Sequence, residues 1–505
     1  MAITGFLTCM LRDFTAQQWL TILTVQACTI VFGVTVTSVT VIIPQMKGGL
    51  AATQDQMAWV LTLNLVATAV ATPLTGWLAA QLGWRHLMIG SLLGFGAASA
   101  ACGMAQSLDG LLFARVVQGA FGAPIFPLGQ AIILARFENR LHPLAIMMWG
   151  VGGVMGPILG PTFGGVIAEL LDWRWTFFMI LPLAIIAAVP AFLALGNEEG
   201  GTARGFDFTG FVFIAVAVGA LQLMLDRGQM NDWFASLEII VEAALAAGFF
   251  YLYLVHTHFS PAPLFDPACF KDRNFVLGII IALVMGMMQF TPLVLFPPLL
   301  QELRGYPETV VGYLMATRGI GNFLSFLIVA QMTRWNPQVT LACGLAVQGF
   351  AAAWMGQLNL DMTNFDVFWS NLLHGFGFGL AYTPMAVLAF STLRAPLLTQ
   401  ANAIFSLVRM IGSSLFISIA VLIVVQSTAT ATLVLGAGVS IFDDPRLLPW
   451  QNLHGAVGGA DFQNHARVEI TRQAAMIGYL NAFRLLTLTP LLFAPLVFFF
   501  CRRQR

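Results

Sequence analysis

The chain has 505 residues, of which 58% are apolar and only 9% charged, and its formal net charge is zero. A soluble domain carries about 25% charged residues, so a water-soluble globular protein is excluded, and the balanced charge offers no basic surface for nucleic acid. The forty-two Phe and forty-eight Gly suit closely packed membrane helices, in which glycine lets backbones approach. The six Cys show neither metal nor redox spacing. Residues 1–17 carry Arg12 and Asp13 and lead into an apolar run without a small-residue cleavage site, so the first span is expected to be retained.

In chain order, apolar runs fall at 19–44, 57–82, 86–105, 108–135, 143–170, 173–195, 208–226, 237–258, 275–301, 309–333, 338–358, 364–393, 398–428 and 477–501. Each meets or approaches the roughly 20 residues that a spanning helix needs, so an all-α membrane protein with about fourteen transmembrane helices is expected. The plan reads as a six-helix half at 1–195, a two-helix insert at 208–258, and a second six-helix half at 275–501 with an external loop at 429–476. Lys and Arg are denser in the segments that an inside N-terminus makes cytoplasmic, including Arg85, Arg136, Arg140, Lys271, Arg334 and Arg394. By the positive-inside rule both termini are then cytoplasmic. A faint repeat relates the halves: Trp59 falls on Tyr313, Asn64 on Arg318, Gly76 on Ala330, and Gln118 opposite His374.

Four stretches carry a family resemblance. They are Gly76-Trp-Leu-Ala-Ala-Gln-Leu-Gly83-Trp-Arg85 between spans 2 and 3, Arg115-Val-Val-Gln118-Gly119 in span 4, the Gly/Pro-rich run 152–165 in span 5, and Leu225-Asp-Arg-Gly228 followed by Asp232-Trp-Phe234. In this order they resemble the motifs of the major facilitator superfamily, and within it the fourteen-span drug:proton antiporters of the multidrug-efflux-subunit-B type. The resemblance implies a major facilitator fold, efflux by alternating access, a bacterial inner membrane, and a periplasmic adaptor with an outer-membrane duct. The residues themselves do not show that partner. Physically, Gly76, Gly83 and Arg85 suit a tight turn whose Arg bonds helix-end carbonyls. Gly152, Gly156, Gly160 and Gly164 form one small-residue stripe, which permits close helix crossing, and Pro157 and Pro161 allow bending. Gly76, Gly83, Arg85, Gly156, Pro157, Gly160, Pro161 and Gly164 are the expected gating set, plain packing being the other reading.

The chain departs from the family where an acidic residue is expected in span 1. Thr35 stands there, followed by Ser38 and Thr40, and Ala80 replaces the acid of the loop 2–3 signature. A membrane-embedded carboxylate is the usual proton carrier, and His374, Glu242 and Asp226 are the remaining candidates. Asp226 reads more simply as an ion pair with Arg227, and His374 as a buried core histidine. Arg115, Arg318, Arg409 and Arg484 lie at or near membrane depth without an evident acidic partner in the spans. A buried guanidinium marks a functional site or else bonds backbone carbonyls; an anionic substrate would complete the pairing. The expected substrate and proton pathway is therefore Thr35, Ser38, Asn64, Arg115, Gln118, Gln289, Arg318, Asn322, His374, Asn402 and Arg409. The leading function is proton-coupled export of amphipathic small molecules, with anions favoured. An importer or facilitator of an organic anion, and a membrane scaffold or enzyme, stay open. His256, His258, Asp266 and Cys269 form a metal set on paper only, and no cofactor is expected; no phosphate loop supports ATP drive.

Overall fold

Polar caps mark where the apolar runs begin. Free N–H groups at a helix start need acceptors where the chain enters the bilayer. Thr15 and Gln18 form a reciprocal capping box, as do Thr363 and Asp366. Ser107 caps through Gly110 N, Asp272 through Phe275 N, and Asn336 through Val339 N. Asp207 accepts from Gly210 N at 2.9 Å, from Leu264 N at 3.1 Å and faces His256 Nε2 at 2.7 Å, so one carboxylate ties a helix start to the next connection.

The computed structural model describes residues 15–500 except 53, 139, 197–204 and 438–458; the side chains of Pro157 and Pro161 also lie outside the described residues. Besides one-turn pieces there are fourteen helical rods: α1 Ala16–Gly49, α2 Gln54–Ala71, α3 Leu74–Met104, α4 Leu108–Arg136, α5 His142–Leu170, α6 Trp173–Ala194, α7 Phe208–Arg227, α8 Leu237–Phe259, α9 Arg273–Leu303, α10 Glu308–Trp335, α11 Pro337–Met355, α12 Asn364–Phe390, α13 Leu398–Ala437 and α14 Gly459–Phe493. No strand occurs among the described residues. Among the described residues twelve stretches are long and apolar enough to cross a membrane, so fourteen spans is an approximate count.

Two expectations are corrected. The connection between spans 2 and 3 is not a loop: Leu74–Met104 is helical on both sides of a single non-helical residue, Gly83, with φ 75° and ψ 158°. Only glycine adopts that conformation without strain, so one residue redirects the chain where a loop was expected. The described parts of the segment 429–476, expected as a loop, are also helical: α13 continues to Ala437 and α14 starts at Gly459. Residues 429–437 are small or apolar and extend the helix, and Thr430 and Thr432 donate to Gln426 O and Thr428 O within it. At 40 residues, α13 is about 60 Å long, twice the roughly 30 Å hydrocarbon core, so part of it stands outside the bilayer.

The packing repeats itself. α1 packs along α5, α2 and α3 along α4, and α3 along α6; eight helices later, α9 packs along α13, α10 and α11 along α12, and α11 along α14. The two sets of six meet where α5 touches α10 and α12, and where α13 touches α3 and α4. Helix α7 contacts α2 of one set and α13 of the other, with α8 laid along its outside.

Candidate functional site

Glycine decides how closely α1 and α5 approach. A methyl at Gly156 would lie 2.6 Å from Gly33 Cα, one at Gly160 2.8 Å from Val34 O, and one at Gly164 2.8 Å from Ser38 Cβ. The stripe therefore packs against α1 inside one set of six, while Met147, Gly150 and Val151 of α5 face Phe326 of the other set. Thr35 and Ser38 are both buried, Ser38 in this seam, and their hydroxyls donate to Val31 O at 2.7 Å and Thr35 O at 3.3 Å. Both hydroxyls are thus used by their own helix.

Arg115 bonds backbone. Its Nε donates to Val60 O at 2.9 Å and its Nη1 to Gln118 Oε1, while Asn64 Nδ2 donates to Arg115 O at 2.9 Å. Gly119, one turn on, lets this happen: a methyl there would press on Asn64 O and lie 3.0 Å from Ala67 Cβ. Arg115, Gln118, Asn64 and Gly119 are thus a clasp between α2 and α4, the backbone-bonding alternative to a pathway residue.

The corresponding place in the second set has different chemistry. Gly375 abuts Arg318 O as Gly119 abuts Asn64 O, so the faint repeat is a repeated backbone contact. Here the arginine comes from α10. Arg318 Nη2 donates to Met288 O at 2.7 Å, and Nη1 has no partner. His374, in the place of Gln118, is fully buried within electrostatic reach of Arg318, and neither ring nitrogen has a partner. Asn322 Oδ1, beside Gly379, is likewise unpartnered.

Arg409 approaches the same stretch of α9, its Nη1 donating to Gln289 Oε1 at 2.7 Å. Arg318 and Arg409 thus converge on consecutive residues, Met288 and Gln289. Gly286 allows the approach, since a methyl there would press on Arg409 O. The Arg409 guanidinium also lies 5.0 Å over the Phe126 ring of α4. From there an aromatic cluster crosses between the two sets. Phe126 and Trp149 have centroids 4.6 Å apart, Trp149 and Tyr382 6.0 Å, and Tyr382 and Phe378 5.7 Å, with Tyr382 Oη 3.5 Å from Gln130 Oε1. Sequence reasoning missed this cluster. The available signal was a rare residue, one of only six Tyr, set inside an apolar run where its hydroxyl needs a partner. Asn402 is buried apart from these contacts, donating to Leu398 O at 2.8 Å.

The remaining expected positions separate from this centre. A methyl at Gly76 would lie 3.2 Å from Gln400 Cα, so α3 and α13 touch there. Arg85 stacks 3.6 Å over the Phe192 ring of α6; no hydrogen bond to a helix-end carbonyl joins that contact. A cavity of about 390 Å³ at this basic end, walled by Gln18, Thr21, Trp84 and Arg136 among others, shares no residue with the arginine centre. On α7 the expected Asp226–Arg227 pair does not form: Arg227 bonds Glu238 and lies 4.4 Å over Trp59, whereas Asp226 accepts from Thr62 of α2. Gln222 and Leu225 O of α7 bond Ser414 and Ser418 of α13, so this helix is hydrogen-bonded to both sets. His256 is held by Asp207, and no group of three or more His, Cys, Asp or Glu able to hold a metal occurs among the described residues. Burial, then Asp266 and Asp272, push the Cys269 thiol up to about 11, which keeps it an unreactive thiol.

Residues 26–417 match the model of the Major Facilitator Superfamily. The chain is 32% identical over 381 residues to the fatty acid resistance protein FarB of Neisseria gonorrhoeae, covering 75% of each chain. It is 31% identical over 382 residues to the multidrug export protein EmrB of Escherichia coli, again covering 75% of each. In fold it is similar to the crystal structure of the human organic anion transporter MFSD10, with a TM-score of 0.61 and 12% identity over 94% of this chain and 100% of that one. With its all-helical architecture, its apolar rods and a family match over most of its length, this chain belongs to the Major Facilitator Superfamily and is a multi-pass membrane transporter, not an enzyme.

Proposed function

We propose that this transporter exports amphipathic small molecules bearing a carboxylate or similar anionic group across the bacterial inner membrane. The observation that carries the anionic part is the convergence of Arg318 and Arg409 on Met288 and Gln289, with Arg318 Nη1 and Arg409 Nε lacking any acceptor. Both side chains are more than nine-tenths buried, and none of Arg115, Arg318 and Arg409 forms a salt bridge among the described residues. A buried cation without a counter-charge is strongly unfavourable, and a substrate anion supplies one. Export is supported by the likeness to a multidrug export protein and to a fatty acid resistance protein.

The two sets of six act as halves, 1–195 and 275–501, that rock about the arginine centre, with the insert 208–258 between them. The basic residues at one end, among them Arg85, Arg136, Arg334 and Arg394, support a cytoplasmic position for that end and for both termini. The aromatic cluster around Trp149 then closes the cytoplasmic side. Proton exchange drives the cycle, and Asp226, bonded to Thr62 on a helix that is tied to both halves, is the carboxylate best placed to respond to it. The continuation of α13 and α14 beyond the bilayer offers a periplasmic adaptor its seat, with an outer-membrane duct beyond.

The test is a susceptibility panel in an efflux-deficient Gram-negative host expressing the transporter, with and without a cognate adaptor. Lipophilic weak acids are set against lipophilic cations. Protection against the acids, lost in Arg409→Ala, is expected; protection against cations alone overturns the anionic reading.

A further inference from the structure

The two repeats place an arginine and a facing residue at the same helix crossing, and the pairs differ in one respect that bears on binding. Between α2 and α4, Arg115 is saturated from within: Val60 O accepts from its Nε and Gln118 Oε1 from its Nη1. Between α10 and α12, the residue in the place of Gln118 is His374, and the arginine is Arg318. Here only one internal acceptor is engaged, Met288 O, and Arg318 Nη1 has no partner. Arg318 is 7% exposed and His374 0%, and both imidazole nitrogens lack partners. Buried donors in folded proteins are almost always paired with protein, water or ligand, and a guanidinium N–H left without an acceptor is among the costliest exceptions.

We infer that Arg318 and His374 form the subsite that takes the anionic head of the substrate, a carboxylate oxygen replacing the amide oxygen that Gln118 supplies in the other repeat. This rests on the anionic-substrate reading above and names its binding residues. One carboxylate oxygen accepts from Arg318 Nη1; the other accepts from the N–H of neutral His374. Gly375 is what brings the two together, because a side chain there would meet Arg318 O. Asn322, across α10 on the Gly379 side, carries an unpartnered buried Oδ1, and its amide N–H atoms suit a second polar atom next to the carboxylate. The aliphatic tail of the substrate then runs along the Met and Phe side chains of α9 and α12.

The experiment uses the full chain in detergent, with decanoate as the probe. Affinity is read from the shift in thermal unfolding temperature across a decanoate titration, and transport from labelled decanoate in proteoliposomes. Arg318→Gln and His374→Leu are each expected to weaken decanoate binding about tenfold or more, and so is His374→Gln, whose amide oxygen can accept from Arg318 Nη1 as Gln118 Oε1 does from Arg115. The distant surface variant Arg140→Gln binds as the unaltered protein does. Unfolding temperatures without ligand show whether each variant folds, and His374→Gln, which keeps a polar side chain of similar size, separates capture of Arg318 by an internal oxygen from loss of packing. Decanoate binding that survives both Arg318→Gln and His374→Leu refutes the subsite while leaving the anionic reading intact. Absence of decanoate binding and transport by the unaltered protein overturns both.

Discussion

The seam between α1 and α5 gives the sharpest quantitative test of the packing. An alanine methyl at Gly156 would lie 2.6 Å from Gly33 Cα, 2.9 Å from the Gly33 carbonyl carbon and 3.1 Å from Val34 N. These neighbours are backbone, so no rotamer change relieves them, and the helices must separate by roughly 1 Å to restore ordinary contact. Such a gap forfeits a quarter to a half of the dispersion attraction along the seam, and overpacking of this kind costs about 1–3 kcal/mol. Gly→Ala also gains about 1 kcal/mol of helix propensity, which would blur a single measurement. Gly165→Ala removes that ambiguity. It lies in the same helix with only Val41 Cγ1 at 3.6 Å, so it collects the propensity gain without the clash. The difference between the two variants therefore isolates the clash, about 1–3 kcal/mol in favour of Gly165→Ala, measured as thermal unfolding of the purified transporter in detergent. Equal stability of the two, or a more stable Gly156→Ala, would refute the close approach of these helices.

Two further outcomes follow from single residues. Gly83→Ala forces a Cβ into φ 75°, ψ 158°, a region that is nearly glycine-only and costs about 1–3 kcal/mol; a lower unfolding temperature is expected, and none would place the turn elsewhere. Trp149→Ala removes the ring between Phe126 and Tyr382 at about 3–5 kcal/mol. Because the ring bridges the two sets of six, faster labelling of a Gln130→Cys probe by a water-soluble maleimide is expected, and unchanged labelling would mean that the cluster closes nothing.

How far the sequence was legible depended on whether a feature acts through its own residues or through another's backbone. The apolar runs gave ten of the rods to within about five residues and missed at least one end of α2, α3, α13 and α14 by more, and the order of the motifs gave the family. Gly83 was legible as a turn, but its being the whole connection was not, since apolar residues on both sides carry no stop signal. The end of α13 was misjudged because Asp443, Asp444 and Pro445 drew the loop outward, while the apolar run before them simply kept its helix. Arg115 was the hardest case. Its acceptor is Val60 O, and a backbone carbonyl has no signature in sequence. The clue was Gly119 at four residues' distance, on the same helical face, which exposes the carbonyls of α2 to the guanidinium.

The arginines also explain why the lost acid of span 1 does not leave the centre without function. In a pathway lined by a carboxylate, a cationic substrate and a proton compete for one negative group. Thr35 cannot play that part, since its hydroxyl already donates to Val31 O. Around α9 the charge is reversed: Arg318 and Arg409 are held by a carbonyl and an amide, which orient them without neutralising them. On the proposed function, substrate selection and proton response fall on different helices, with anion recognition on α9, α10, α12 and α13 and the Thr62-bonded carboxylate on α7. Since α7 is bonded to α13 through Ser414 and Ser418, the same helix that carries Arg409 also carries the strut. On that proposal, movement of α13 is the step through which an anion at the centre and a proton at Asp226 sense one another.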